Sequence, residues 1–227
     1  MTERELAEGV GRMRAQGMPP RAIARALGVR PADVMPLVRE LAQAAAPAGA
    51  PPAGCWVSAG WSRRLIIARP HCWEDVQLGP DGPAGIALVL VARAGRRDDV
   101  SVCGHLVDTF CLGVKNVLGP ERLRRRDLPA FVRLYYAAFP APALVAPLGL
   151  AQHLVHGAVA FAAGLGFEPH PDFAATRDHL GEPVGPCPIT FGREGRPCYV
   201  QGIADDARAV VRTLLDRVGR DGFVVAA

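Results

Sequence analysis

Lysine is nearly absent from this 227-residue chain, Lys115 being the only one among 26 Lys and Arg residues. A bias that strong follows from a skewed coding composition, so a lysine that persists marks a place where a compact ammonium fits and a guanidinium does not. Long apolar runs are also missing. The longest, 86–92, is far too short to cross a bilayer, and the opening T-E-R-E-L-A-E lacks the basic-then-apolar order of an export signal. No membrane partner and a cytoplasmic location are therefore expected. The six cysteines include no C-x-x-C pair, which excludes a zinc ribbon or a thioredoxin-type redox site and suits a reducing compartment. There is no P-loop, no G-x-G-x-x-G after a strand and no G-x-S-x-G, so the common nucleotide-binding and hydrolase templates drop out. What remains is half hydrophobic, enough for a well-buried core, with a formal charge of +4 that is compatible with nucleic acid without requiring it.

The run 42–54, A-Q-A-A-A-P-A-G-A-P-P-A-G, can make no core and holds enough proline to stay extended. It divides the chain into a head at 1–46, a linker at 47–54 and a main domain at 55–227. In the head, Leu6, Val10 and Met13 recur at helical spacing after Thr2, which predicts a first helix ending at Gly17. Pro19 and Pro20 open a second helix that stops at Gly28-Val29, and Arg30-Pro31 open a third. Ile23, Ala24, Leu27, Gly28, Val29, Val34 and Leu37 then fill, slot for slot, a pattern that resembles the helix-turn-helix family of DNA-binding domains. In that pattern the small residue lets two helices cross closely, the glycine makes the turn, and the aliphatics project the last helix toward the major groove. The resemblance implies DNA as a partner. Arg30 and Arg39 then become contacts to phosphate or guanine, and Arg21 and Arg25 contacts to the backbone. Pro36 inside the third helix and seven arginines against five acidic residues in the head argue for weak sequence specificity, and a protein-docking module is the other reading of these helices.

The main domain is expected to be α+β, a mostly antiparallel sheet with packed helices, so that the whole reads as a small all-α helix-turn-helix head plus that domain. Strands are predicted at 56–58, 64–68 and 86–92, with 100–110 pairing against 86–92 as the middle of the sheet. The segment 93–99 reads as a charged turn and 121–127, E-R-L-R-R-R-D, as a solvated helix start. Helices follow over residues from Leu128 to Tyr136, over 148–164 with apolar residues almost all round, and over 206–218 capped by Asp205. A hairpin over 189–202 turns at 193–196, and 223–225 closes the sheet.

One stretch departs from this pattern. In 102–117, V-C-G-H-L-V-D-T-F-C-L-G-V-K-N-V, strict alternation places Asp108 on the same face as Val102, Leu106 and Phe110. A carboxylate on an apolar face needs a cation, a metal or amide donors to hold it. Lys115 is the nearest candidate partner. Farther on, His153 and His156 stand one turn apart on the predicted helix, and G-L-G-F-E-P-H-P-D-F brings His170 and Asp172 in a proline-bounded loop. With Asp108 these could make an N/O set for a divalent metal such as Zn, Mn or Fe, though buried helical histidines also commonly bond to backbone carbonyls. Cys111, with His105 or a helix histidine as base, is a further candidate nucleophile.

The stretches G-C-W-V-S-A-G-W-S, L-V-D-T-F-C-L-G-V-K-N, G-L-G-F-E-P-H-P-D-F and G-R-E-G-R-P-C-Y-V-Q-G together resemble a set in actinobacterial helix-turn-helix proteins with no assigned activity. That resemblance implies a cytoplasmic bacterial protein and carries no role onto any residue. Two functions follow as expectations. One is a DNA-binding, transcription-regulating protein whose second domain senses a small effector, docks a protein partner or forms a homodimer. The other is a metal-dependent hydrolase or nuclease working through Asp108, His153, His156, His170 and Asp172, with Lys115 steadying negative charge.

Overall fold

The computed structural model describes residues 3–15, 20–44, 50–68, 73–76, 78–79 and 82–226. The chain falls into two compact units, Met1–Pro47 and Ala48–Ala227. In the first, α1 (Glu3–Ala15), α2 (Pro20–Leu27) and α3 (Pro31–Ala44) enclose a small core of Val10, Ile23, Ala24 and Val34, with Leu6, Met13, Leu27, Val29 and Leu37 packed around it. α2 stops where Gly28 takes a φ of 66° and the Val29 N–H donates back to the Ala24 carbonyl at 3.0 Å. α3 runs on through Pro36, which is exposed, losing one backbone bond there without ending the helix. The expected first-helix cap, Thr2, and its stop, Gly17, lie outside the described residues.

The second unit is mixed α+β. In order it contains β1 (Pro52–Ser58), β2 (Ile66–Ile67), β3 (Ile86–Ala94), β4 (Asp99–Asp108), β5 (Gly113–Arg124), a 3-10 turn (Arg125–Asp127), α4 (Leu128–Tyr136), β6 (Ala143–Val145), α5 (Leu148–Gly164), α6 (Phe173–Leu180), β7 (Ile189–Thr190), β8 (Cys198–Val200), α7 (Ala207–Val218) and β9 (Val224–Ala226). Five strands form one antiparallel sheet in the order β5-β4-β3-β1-β6. β2 pairs antiparallel with β7, and β8 pairs parallel with β9. No helix among the described residues is long and apolar enough to cross a membrane.

Both faces of the sheet are covered. Ala87, Val89 and Val91 pack with Leu150, Leu154, Val155 and Ala158 of α5, while Leu88, Leu90 and Ala92 pack with Leu128, Val132 and Tyr136 of α4. This is why β3 reads as an unbroken apolar run instead of alternating. The α4 face needs one gap: a Cβ on Gly104 would come within 2.4 Å of the Tyr135 hydroxyl oxygen. Tyr136 donates from the same helix to the Trp56 or Leu88 carbonyl, both at 3.0 Å, tying α4 to β1 and β3.

Several expectations are corrected here. The charged run 121–127 is not a helix start, because 121–124 extend β5 along the sheet edge and only 125–127 turn into α4. The 193–196 turn exists, but its arms do not pair as a hairpin over their length: β7 goes to β2 and β8 to β9. β9 therefore does not close the main sheet, whose edge is instead β6. Asp206 rather than Asp205 caps α7, accepting from the Ala209 N–H at 3.1 Å.

Arg93, expected at the start of a charged turn, lies inside β3 and is only 6% exposed. No carboxylate meets it among the described residues. Its guanidinium donates to the His179 carbonyl, to Leu180 O at 2.9 Å and to Ala50 O at 2.6 Å. Two of those acceptors are the orphan carbonyls at the C-terminus of α6, where a cation is favoured by the helix dipole. Burial lowers the Arg93 pKa from its ordinary value, and the carbonyls compensate the lost hydration. Removing the donors would leave buried acceptors bare. Arg93→Ala should lower the unfolding free energy by about 2–4 kcal/mol, and Arg93→Lys, with fewer directed donors, by less. Urea denaturation of the three proteins checks this, and an Arg93→Ala protein as stable as wild type would refute it.

Candidate ligand site

Asp108 ends β4, and its side chain is folded back on its own chain. The carboxylate Oδ1 accepts from the Phe110 and Cys111 backbone N–H groups, both at 2.9 Å, with a further backbone bond from Leu112. Amide donors, not Lys115, thus answer the demand for a partner. The physical reason is local: a chain reversal immediately after an aspartate presents several N–H groups to a side chain too short to reach anything else. Lys115 contributes attraction without a hydrogen bond. Burial pushes the Asp108 carboxyl up to about 6, with the amides and Lys115 pulling the other way.

The turn that Asp108 builds anchors later segments. Thr109 donates to Gly85 O at 2.8 Å, Thr109 O accepts from Gly192 N at 2.9 Å, and Phe110 O accepts from Cys198 N at 3.1 Å. Gly113, at a φ of 70°, lets the chain re-enter the sheet as β5 where a Cβ would come within 2.9 Å of Ala162.

Two residues into β5, Lys115 meets Asp205, Nζ lying 2.8 Å from each carboxylate oxygen. The two side chains are only 18% and 9% exposed, so this pair is well shielded from solvent. Asp205 also accepts from Gly202 N at 2.8 Å and sits 3.5 Å from the Tyr199 hydroxyl. Burial raises its pKa, but the Lys115 and Gly202 bonds outweigh that and hold the carboxyl below its ordinary value. Gly202 suits this arrangement, since a Cβ there would stand 2.7 Å from the Lys115 ammonium and displace it.

Lys115 and Asp205 line an open cleft of about 280 Å³ together with Leu112, Val114, Phe167, Glu168 and His170. His170 is placed by its backbone N–H, which donates to Val114 O at 2.9 Å, and its Nδ1 accepts from the Asp172 N–H at 3.2 Å. In the neutral ring the proton therefore sits on Nε2. The site offers an ammonium, an imidazole donor and two carboxylates, Asp205 and Glu168, beside apolar groups, which is a binding arrangement for a small polar molecule.

The other predicted residues lie elsewhere. His153 and His156 of α5 donate from Nε2 to Val184 O at 3.2 Å and Gly181 O at 2.9 Å, and Asp172 is exposed at the start of α6. Among the described residues no group of three or more His, Cys, Asp or Glu is placed to hold a metal ion. Cys111 is fully buried, and burial pushes its thiol up to about 12, which keeps it protonated and unreactive at neutral pH. His105 shares the α5 side of the sheet. Because the Thr176 hydroxyl donates to Phe173 O at 3.1 Å, it accepts from His105 Nε2 at 3.0 Å, and burial holds the ring down at about 3, in its neutral form. His179 donates to Ser101 O at 3.1 Å and is held at about 4 by the same cause. In the first unit, Arg30 grips Asp33 with two bonds of 3.0 and 2.8 Å, and Arg25 is exposed; the side chains of Arg21 and Arg39 lie outside the described residues.

Sequence reasoning missed Asp205 as the lysine's partner and Asp75 as an organiser. Asp75 accepts from Gly60 N at 2.7 Å, Ser62 N at 2.9 Å and Ser62 Oγ at 2.7 Å, fixing the turn after β1. Neither carries a local pattern, because both act across loops of irregular spacing. Searches against family models, curated proteins and solved structures find no match to this chain.

The native Asp108 carboxyl, at about 6, holds its proton above the ordinary 3.8. Native protein then binds more protons than unfolded protein between these values, so this group's contribution to stability falls as pH rises through that window. At about 1.4 kcal/mol per pH unit the fall reaches about 3 kcal/mol. Asp108→Asn keeps an oxygen for the amides and has no charge to desolvate. Its unfolding free energy relative to wild type should rise by up to about 3 kcal/mol from pH 3.8 to pH 6 and then level off. A difference that stays flat across that range would count against the buried, ionising carboxylate.

Proposed function

We propose that this protein is a cytoplasmic DNA-binding regulator of the helix-turn-helix class, whose α+β unit senses a small polar effector in the Lys115–His170–Asp205 cavity. The observation that carries the first half is the packing of the first unit. Ile23, Ala24, Leu27, Val29, Val34 and Leu37, the aliphatic slots of the helix-turn-helix pattern, are the residues that close its core, with Gly28 in the left-handed conformation between α2 and α3. A three-residue connection and a small residue at the crossing are what projection of α3 into a major groove requires. Arg25 and Arg30 are exposed, and the Arg30–Asp33 pair is a surface contact, with the arginine 83% exposed, that a phosphate can replace.

The second half rests on the shielded ion pair in the cavity wall. A lysine and an aspartate held together in a largely desolvated place make a polar surface whose pairing a ligand can rearrange, so a ligand there has a lever on the loop 202–205 and on β5.

The reading predicts salt-sensitive binding to mixed DNA fragments by the full chain. Replacing Arg21, Arg25, Arg30 and Arg39 together with alanine should flatten the dependence of log K on log salt by about 1 for each arginine that meets a phosphate. Fluorescence anisotropy at several salt concentrations measures the slope. An unchanged affinity and slope in the fourfold variant would remove DNA contact from these residues.

A further inference from the structure

Helix α6 is held in place by side chains that converge on it from β3, β4 and α5. Arg93 of β3 donates to the His179 and Leu180 carbonyls, Gln152 of α5 donates to the Leu180 carbonyl at 3.1 Å, and His156 of α5 donates to the Gly181 carbonyl at 2.9 Å. His105 of β4 gives its Nε2 proton to the Thr176 hydroxyl at 3.0 Å, and His179, on α6 itself, gives its own to Ser101 O of β4 at 3.1 Å. Phe173 fills the space between, its ring in T-shaped contact with those of His105 and His156 at centroid distances of 5.9 and 6.1 Å. A helix of eight residues has little stability of its own, so these contacts are what keep α6 on the sheet.

Two of the contacts carry a protonation constraint. His105 and His179 are 0% and 4% exposed, and Nδ1 of each is buried with no hydrogen-bond partner among the described residues. A second proton on either ring would make an N–H with nothing to accept it, on a cation stripped of water. The surroundings offer that charge no relief. His179 and His156 act on His105, Arg93 acts on His179, and no carboxylate among the described residues acts on either ring. Cys103 of β4 is a thiol whose pKa burial raises, and Glu121 and Arg122 of β5, Arg177 and Asp178 of α6 and Glu182 beyond it are all exposed. Burial, chiefly, holds His105 at about 3 and His179 at about 4, against an ordinary 6.5.

We propose that α6 is an acid-released latch, in which proton uptake by His105 and His179 opens the helix from the sheet while the rest of the second unit stays folded. Rings that are neutral when closed contribute fully to the closed state above pH 6.5, and that contribution is lost progressively as pH falls toward about 4 and 3. Asp108 acts in the opposite sense between pH 6 and pH 3.8, so for unfolding of the whole unit it offsets part of what the two imidazoles lose. Opening of α6 leaves the Asp108 turn intact and has no such offset, so local release outruns global unfolding. The Phe173 N–H donates to His170 O at 2.8 Å, so the start of α6 also supports the loop that sets His170 on the wall of the Lys115 cleft. Acid reaches that cleft through the latch, and the latch itself requires nothing to bind there.

Hydrogen exchange of the full chain between pH 7.5 and pH 5, each rate divided by the intrinsic rate at its pH, tests the proposal. Two rings that titrate only in the open state should raise the opening constant of α6 roughly two hundredfold from pH 6.5 to pH 5, while the amides of β3 stay protected. His105→Gln and His179→Gln each keep an N–H donor without a titrating ring, so either alone should cut the rise to about fifteenfold and the two together should remove it. A flat response of α6 in the wild-type protein would overturn the proposal, as would α6 and β3 losing protection together, which is unfolding of the whole unit. Both of these are read on wild-type protein and hold even if a variant fails to fold. A folded double variant that keeps the wild-type rise would take the latch away from these two histidines.

Discussion

One carboxylate accepting amides of its own turn sets the arrangement of the second unit. Asp108 Oδ1 gathers the Phe110 and Cys111 N–H groups, and that reversal presents the Thr109 and Phe110 carbonyls outward. Gly192 and Cys198 donate to those carbonyls, so the segment carrying β7 and β8 is seated on the turn. The same reversal delivers Leu112, Val114 and Lys115 to the cleft. Desolvation of the charge opposes the arrangement and the amides offset part of it, a balance that leaves Asp108 ionising far closer to neutrality than a surface aspartate.

A comparable logic holds the helical side together. Arg93 and Gln152 both donate to the Leu180 carbonyl, so the end of α6 is fixed from β3 and from α5 at once. The imidazoles around it each give an Nε2 proton to a fixed acceptor, burial keeps His105 and His179 neutral, and Nδ1 of His105, His153 and His179 has no hydrogen-bond partner among the described residues. These rings serve as polar pins within an apolar layer, which is how a sheet face carrying histidine can still pack against α5 and α6.

Much of the architecture was legible because periodicity reports burial. The span 148–164 is apolar almost all round and is buried on most of its circumference, and the β3–β4 pair could be read from two facing apolar runs. β5 was missed because G-V-K-N-V-L-G-P-E-R-L-R mixes glycine, proline and charge, as an edge strand with two register shifts against its neighbour does. The candidate site was half legible. Alternation exposes Asp108 as a misplaced carboxylate and composition singles out Lys115, but nearness in sequence does not fix pairing, and Asp108 bonds to its own turn's amides while Lys115 bonds to Asp205. Asp205 lies ninety residues from Lys115, and Arg93 hides at the end of an apolar run. Contacts made by loops depend on tertiary closure, which a one-dimensional pattern does not encode.

The two margins of the five-stranded sheet bear on how this chain behaves in a crowded solution. Exposed strand edges are templates onto which other chains can polymerise. One margin, β6, spans three residues, too few for a lasting ladder. The other, β5, is long, but Pro120 offers no donor, the register slips twice, and the exposed Glu121, Arg122 and Arg124 line it with charge. The charged run expected to start a helix is, in the fold, a strand edge whose charges oppose edge-to-edge pairing of the largest sheet.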